Sequence, residues 1–207
     1  MINTKKELKF YIMADRIMNG FPKKISFKEF FFGWTYLEAP VIKYLRIMRL
    51  LSYYDNSKSI VNRVFERLVR IYYNRLGLKL SIRICPNVCG YGIVVPHYGL
   101  IRIGISNQIG NYTVIHSGVT MTGSSCVVGD YAYFSSGCKI IGPLELGNSV
   151  SIAANSVVNK SYGDNVLLAG APAKVVKENY PSWYERDGDS FQQRVNKVEE
   201  LKKQMGL

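Results

Sequence analysis

Histidine is nearly missing from this chain, with two in 207 residues, and acidic side chains are scarce, with 15 Asp and Glu against 27 Lys and Arg. Two histidines cannot furnish a three-histidine zinc site, which sets metal-dependent hydration on such a centre aside. Cysteine is limited to Cys85, Cys89, Cys126 and Cys138. The first two stand in CxxxC spacing with no second pair at ligand spacing, so the four read as buried structural thiols rather than metal or redox groups. Long apolar runs are absent too: none reaches the roughly 18 to 20 residues of a membrane span, and the start MINTKKELKFY lacks the apolar core of a secretory signal. The expectation is a cytoplasmic protein. Neither a GxSxG elbow nor a P-loop pattern occurs.

What acid there is leaves the charge uneven. Residues 1–80 hold 16 Lys and Arg against 6 Asp and Glu, while residues 81–170 hold 4 against 3. The first eighty residues therefore carry the basic footprint, suited to a polyanionic small molecule, an anionic lipid surface or nucleic acid, with a solvated basic helical surface as the plainer reading.

The chain's organising feature is a six-residue beat of aliphatic side chains. Ile103, Ile109, Ile115, Met121 and Val127 form one series; Val128, Phe134, Ile140, Leu146, Ile152 and Val158 form a second in a shifted frame. Ile82, Val88 and Val94 fit a third, and the frame breaks between Val94 and Ile103, where nine residues replace six. Fourteen of the 18 glycines fall between Gly77 and Gly170, as a backbone that turns every few residues requires. Such a period predicts short strands wound as a tube, three repeats to a coil and roughly four coils. Stacking the coils buries the inward row and pairs the strands, leaving edges only at the two ends.

The flanks read as helices. Segments near Lys6 to Met18, Phe27 to Phe32, Pro40 to Tyr53 and Ile60 to Leu76 precede the array, with Gly77 as the stop and turns at Asn19-Gly20-Phe21-Pro22 and Asp55-Asn56-Ser57. The aromatics Phe30, Phe31, Phe32, Trp34, Tyr36, Tyr53 and Tyr54 serve either short-helix packing or a face resting on a membrane. After the array, Asp189 and Gln192 with Phe191, Val195, Val198, Leu201 and Met205 predict a capped amphipathic helix. The N-terminal helices are expected to cap one end of the tube and the C-terminal segment to lie over the other.

His97 falls inside the break, beside Pro96 and Tyr98, where a bulged turn would carry its side chain out of the stack. A neutral imidazole there can take a proton from a hydroxyl. His116 follows 19 residues later, about one coil, so the two can share a cleft wall. With no obvious serine or cysteine nucleophile, direct attack by an acceptor activated at His97 is the simpler scheme.

The runs GYGIVVPHYGLIRIG, IGNYTVIHSGVTMTG, LELGNSVSIAANSVVNKS and AGAPAKVV resemble the hexapeptide-repeat acyltransferases over about residues 60–178, most closely the serine-acetyltransferase-like branch of capsule and exopolysaccharide pathways. That resemblance implies a mainly β fold: a left-handed parallel β-helix over 81–170, a helical region over 1–80, and an exit turn with a helix over 171–207. It further implies a homotrimer with sites between subunits, and acetyl-CoA as donor without a metal. By position, His97 matches the catalytic base, while His116 is assigned acceptor binding or assistance to His97, with Tyr98 beside the acceptor. Ala153, Ala154 and Asn155 match the small-residue turn beside the pantetheine arm. Gly170, Ala171, Ala173 and Lys174 match the exit turn at the adenine and phosphate end, with Lys160 and Lys174 as phosphate partners.

Departures from the serine acetyltransferases bear on the acceptor. They carry Asp immediately before the catalytic histidine, where this chain has Pro96; a second Asp aligns near Ile82 or Arg83, and a loop with a further histidine is missing after Gly123. The expectation is therefore O-acetylation of a sugar or glycan hydroxyl, with peripheral membrane association through the N-terminal region and no nucleic-acid partner. Serine O-acetylation, N-acetylation of a nucleotide-linked amino sugar and a non-catalytic trimeric scaffold are the rivals.

Overall fold

The computed structural model describes residues 2–23, 39–57, 59–123 and 125–207. The expected helix at 27–32, and with it Phe30, Phe31, Phe32, Trp34 and Tyr36, lies outside the described residues. Among the described residues, the helices α1 (Lys5–Met18), α2 (Ala39–Asp55) and α3 (Ile60–Leu80) precede the array. Its strands are β1 (Ile82–Ile84), β2 (Ile101–Ile103), β3 (Gln108–Ile109), β4 (Val114–Ile115), β5 (Thr120–Thr122), β6 (Cys126–Val128), β7 (Tyr133–Phe134), β8 (Lys139–Ile141), β9 (Leu144–Leu146), β10 (Ser151–Ile152), β11 (Val157–Val158) and β12 (Leu167–Gly170). The chain finishes with β13 (Ala173–Lys177), α4 (Trp183–Arg186) and α5 (Asp189–Gln204).

The strands wind into a parallel solenoid with three sheets as walls: β1-β2-β5-β8-β11, β3-β6-β9, and β4-β7-β10-β12 with β13 added antiparallel. Register assigns three inward columns. They run Ile84, Ile103, Met121, Ile140, Val158; then Cys89, Ile109, Val128, Leu146, Tyr162; then Val95, Ile115, Phe134, Ile152, Leu168. All are buried except the half-buried Tyr162, which packs against the same core. Five coils result, one more than the beat suggested, because Val158 opens a coil that closes at Leu168.

Two phase assignments are corrected. Val127 is 41% exposed and points outward, and Val128 fills the column instead. In the first coil the columns take Ile84, Cys89 and Val95; Ile82 and Val88 are buried in the same core beside them, while Val94 packs on the outside against α1 and α5. Strand side chains alternate, so a neighbour one or two residues away satisfies a spacing rule on the wrong face or at the strand's other end.

The helices fix the tube's first end. Thr4 and Glu7 form a capping box on α1. From α2, Tyr44, Leu45, Met48 and Leu51 join the core of the first coil, and Tyr44 Oη accepts from Ile84 N at 2.9 Å while donating to Tyr73 Oη at 2.8 Å. Arg49 ties three elements together. It donates to both carboxylate oxygens of Asp15 on α1 and to the carbonyls of Cys89 and Gly90 in the first coil, with both side chains buried. Burial works against the guanidinium's charge, but the Asp15 carboxylate more than offsets it and holds Arg49 above its usual range.

Gly77 does not end α3. The helix runs to Leu80 and stops at Ser81 in the left-handed region at φ 57°. Gly77 is needed for proximity, since a Cβ there would lie 2.6 Å from Ile82 O.

The C-terminal segment departs from expectation. α5 starts behind Gly188, whose lack of a side chain leaves no side-chain cap; the capping box is instead Ser182–Glu185 on α4. Nor does α5 cover the far end: it runs back along the third sheet, where Val195, Val198 and Leu201 pack with Phe10, Ala14, Met18, Tyr112 and Trp183. Among the described residues no helix is long and apolar enough to cross a membrane.

Candidate active site along one edge of the solenoid

Each coil turns from the third sheet to the first through a short corner, and these corners stack. In order they are 96–100, 116–118, 135–137, 153–156 and the turn joining β12 to β13. Gly118 N donates to Leu100 O at 2.6 Å, Gly137 N to Ser117 O at 3.0 Å, and Asn155 N to Ser136 O at 2.9 Å. Gly170 N donates to Ser156 Oγ at 3.1 Å. The turns demand positive φ, met by Gly118 at 82°, Gly137 at 76° and Asn155 at 56°. At Gly118 a Cβ would also sit 2.9 Å from Gly137 Cα, so glycine serves both the turn and the coil spacing.

His97, Tyr98, His116, Ala153, Ala154, Asn155, Gly170 and Ala171 therefore share one edge, over five coils spaced by about 4.8 Å each. His97 and Tyr98 are exposed, in a first-coil corner with two residues more than the next: Val95 sits over Ile115, and Gly99 over the Ser117–Gly118 turn. Eight residues, not nine, separate successive inward positions across this break, Val95 and Ile103. The His97 ring makes no hydrogen bond to the described residues.

His116 is held. Its Nε2 lies 2.9 Å from Tyr133 Oη, with the rings 5.2 Å apart and tilted. Burial lowers its pKa, repulsion from His97 lowers it further, and Asp187 opposes both. The imidazole is thus neutral near pH 7 and electrostatically coupled to His97. Beyond Tyr133 stands Arg186, its guanidinium 5.7 Å from the Tyr133 ring and 4.4 Å from that of Tyr180, donating to Tyr180 Oη at 2.7 Å and Ser151 Oγ at 3.3 Å. Burial raises the pKa of Tyr133, with Asp187 adding to the rise and Arg186 opposing it. Tyr133, Arg186 and Asp187 were missed from sequence. Tyr133 was findable, because it immediately precedes the inward Phe134 and so points outward near His116; the α4 residues meet it only through the tertiary fold.

Two of the proposed cofactor residues do not join the edge as expected. Ala173 is 1% exposed and packs in the core, with its carbonyl accepting from Tyr162 Oη, so its side chain closes the far end of the tube and is closed to a ligand. Lys160 lies one corner further on, beyond β11, with Nζ 5.5 Å from the Tyr162 ring centroid. Lys174 stays exposed and pairs in register with Ala169 beside the exit turn. The cysteines do not contribute: burial pushes the Cys89 and Cys138 thiols up to about 12, far from thiolate formation. Among the described residues no group of three or more His, Cys, Asp and Glu is placed to hold a metal.

No family model matches the chain. Among solved structures, the fold is similar to that of serine acetyltransferase from Brucella abortus strain S19, with 22% identity over 83% of this chain and 69% of that one at a TM-score of 0.60. It is similar to serine acetyltransferase from Neisseria gonorrhoeae, with 19% identity over 90% and 71% at 0.58. A serine acetyltransferase solved in complex with CoA is 24% identical over 81% and 68% at 0.60. These likenesses establish a shared fold.

Proposed function

We propose that this chain is a hexapeptide-repeat acyltransferase that moves an acetyl group from acetyl-CoA to a sugar hydroxyl. The observation that carries the reading is the stacked edge, which sets the only two histidines at one end and a row of small-residue turns at the other. The thioester arm would lie along Ala153, Ala154 and Asn155, where small side chains leave room, with the phosphates near Gly170, Ala171 and Lys174. Similar proteins solved with CoA support this donor.

At the other end, His97 removes the acceptor's hydroxyl proton as its oxygen attacks the thioester carbonyl. The tetrahedral oxyanion then collapses, the C–S bond breaks, and the His97 imidazolium returns the proton to the CoA sulfur. His116, fixed by Tyr133, binds the acceptor and, remaining neutral, favours His97 cycling through its charged form. In a homotrimer a neighbouring copy would close this open edge and could supply the group that orients His97.

Serine is the second acceptor reading, favoured by the similar structures. Pro96 speaks against it, because its side chain can neither orient His97 nor hold an amino group. An acceptor panel separates them: coenzyme A release with hexoses, nucleotide sugars and acidic oligosaccharides supports the sugar reading, and release with L-serine alone overturns it.

Membrane association belongs to the same proposal. On α3, Val61, Val64, Phe65, Leu68, Ile71 and Tyr72 form an exposed apolar stripe, with Leu68 60% exposed. Arg63, Arg67 and Arg70 lie on the rest of the helix surface, the basic complement of an interfacial helix on anionic lipid. Such a surface would hold the enzyme near lipid-linked acceptors.

A further inference from the structure

A groove of about 470 Å³ runs between the C-terminal turns of α3 and the outer face of the first two coils. Asn74, Leu78, Ser81, Arg83, Leu100 and Arg102 line it. Arg83 and Arg102 are direct cross-strand partners on β1 and β2, both exposed and both on the outer face. Like charges placed directly opposite destabilise a sheet unless an anion lies between them. Neither arginine makes an ion pair among the described residues, and no acidic side chain lines the groove. Lys139 continues the same outward row two coils on, through Thr120. Leu78, 82% exposed, and Leu100, 50% exposed, add an apolar wall beside the polar Asn74 and Ser81.

The groove adjoins the reactive end of the edge. Leu100 is three residues beyond His97, which bounds their Cα separation at about 11 Å. The intervening loop is hydrogen-bonded to the groove's rim, Gly99 N donating to Leu80 O at 3.1 Å and Ile101 N to Ser81 O at 3.0 Å.

We infer that Arg83 and Arg102 bind the phosphate of a phosphorylated acceptor, a sugar carried on a phosphate or diphosphate, and so present its hydroxyl to His97. This rests on the acetyl-transfer reading for its purpose, though not for the anion site itself. Two guanidinium groups one coil apart can each fork onto phosphate oxygens, and the leucines give the sugar or its carrier an apolar wall. The donor's own phosphates lie at the opposite end of the edge.

The probe is inorganic pyrophosphate, titrated calorimetrically at low salt into wild type, Arg83→Ala/Arg102→Ala, and the charge-matched control Lys197→Ala/Lys203→Ala, both exposed on α5. A tenfold or greater loss of affinity in the groove variant, with less than a twofold change in the control, supports the site. Equal losses in both variants, or no saturable binding by wild type, overturn it. Competition with CoA discriminates the source: unimpeded pyrophosphate binding at saturating CoA supports an acceptor site, and displacement overturns the acceptor assignment in favour of the donor. If the groove variant alone changes the assembly's mass in solution, the arginines serve an interface and the inference fails. Should acetyl transfer itself be absent, pyrophosphate binding by the groove would still be measured, so the two claims fail separately.

Discussion

His116 is where the site's electrostatics can be read directly. Its pKa lies below the ordinary 6.5 through burial first and His97 second. A depressed histidine is protonated more readily in the unfolded chain, so it contributes nothing unfavourable above about pH 6.5 and costs stability as pH falls below that value. With two histidines in the chain, proton NMR resolves both rings. The His116 midpoint should fall below 6.5 and rise in His97→Ala, where the repulsion is gone. An unmoved midpoint would mean that the two rings do not interact. His97 was legible because its corner breaks a regular beat, and His116 because it stands one coil on. Tyr133 needed the in-out alternation to be read as well as the period, and Ala173 was misjudged because a family turn motif says nothing about which of its side chains faces the core.

Among the elements, the solenoid was legible because its period recurs across the whole array, while its first coil was legible only in part, because helices cover it. Val94 looks inward by spacing, yet α1 and α5 supply a second apolar layer outside the tube and claim it. The Asp15–Arg49 clamp was equally hidden, since α1, α2 and the first coil meet only in three dimensions. Removing one partner of a buried pair strands the other charge, so Arg49→Met should destabilise by about 3–5 kcal/mol in denaturant unfolding. Asp15→Leu combined with Arg49→Met should recover much of that loss, and a double variant as unstable as the sum of the singles would argue against a coupled pair. The capping signal from Asp189 and Gln192 failed for a local reason, because Gly188 takes the cap position without a side chain to offer.

For the molecule as a whole, a nearly neutral solenoid carries a basic helical head with an uncovered apolar stripe. Flotation with liposomes tests what that head meets. Wild type should float with vesicles rich in phosphatidylglycerol and not with pure phosphatidylcholine, and Phe65→Glu/Leu68→Glu should abolish flotation while leaving CoA binding intact. If the variant instead lowers the mass of the assembly in solution, the stripe is a contact between copies, and the membrane reading is wrong.

The central claim is that one edge of the solenoid binds the donor at its small-residue turns and performs the transfer at His97. Single-turnover acetyl transfer from acetyl-CoA to a sugar acceptor, measured beside equilibrium CoA binding, tests it in wild type and His97→Ala. The expected result is CoA affinity within about twofold and a transfer rate lower by roughly 10²–10⁴-fold, the range for losing a general base. Undiminished transfer by His97→Ala, or loss of CoA binding together with the rate, would contradict it.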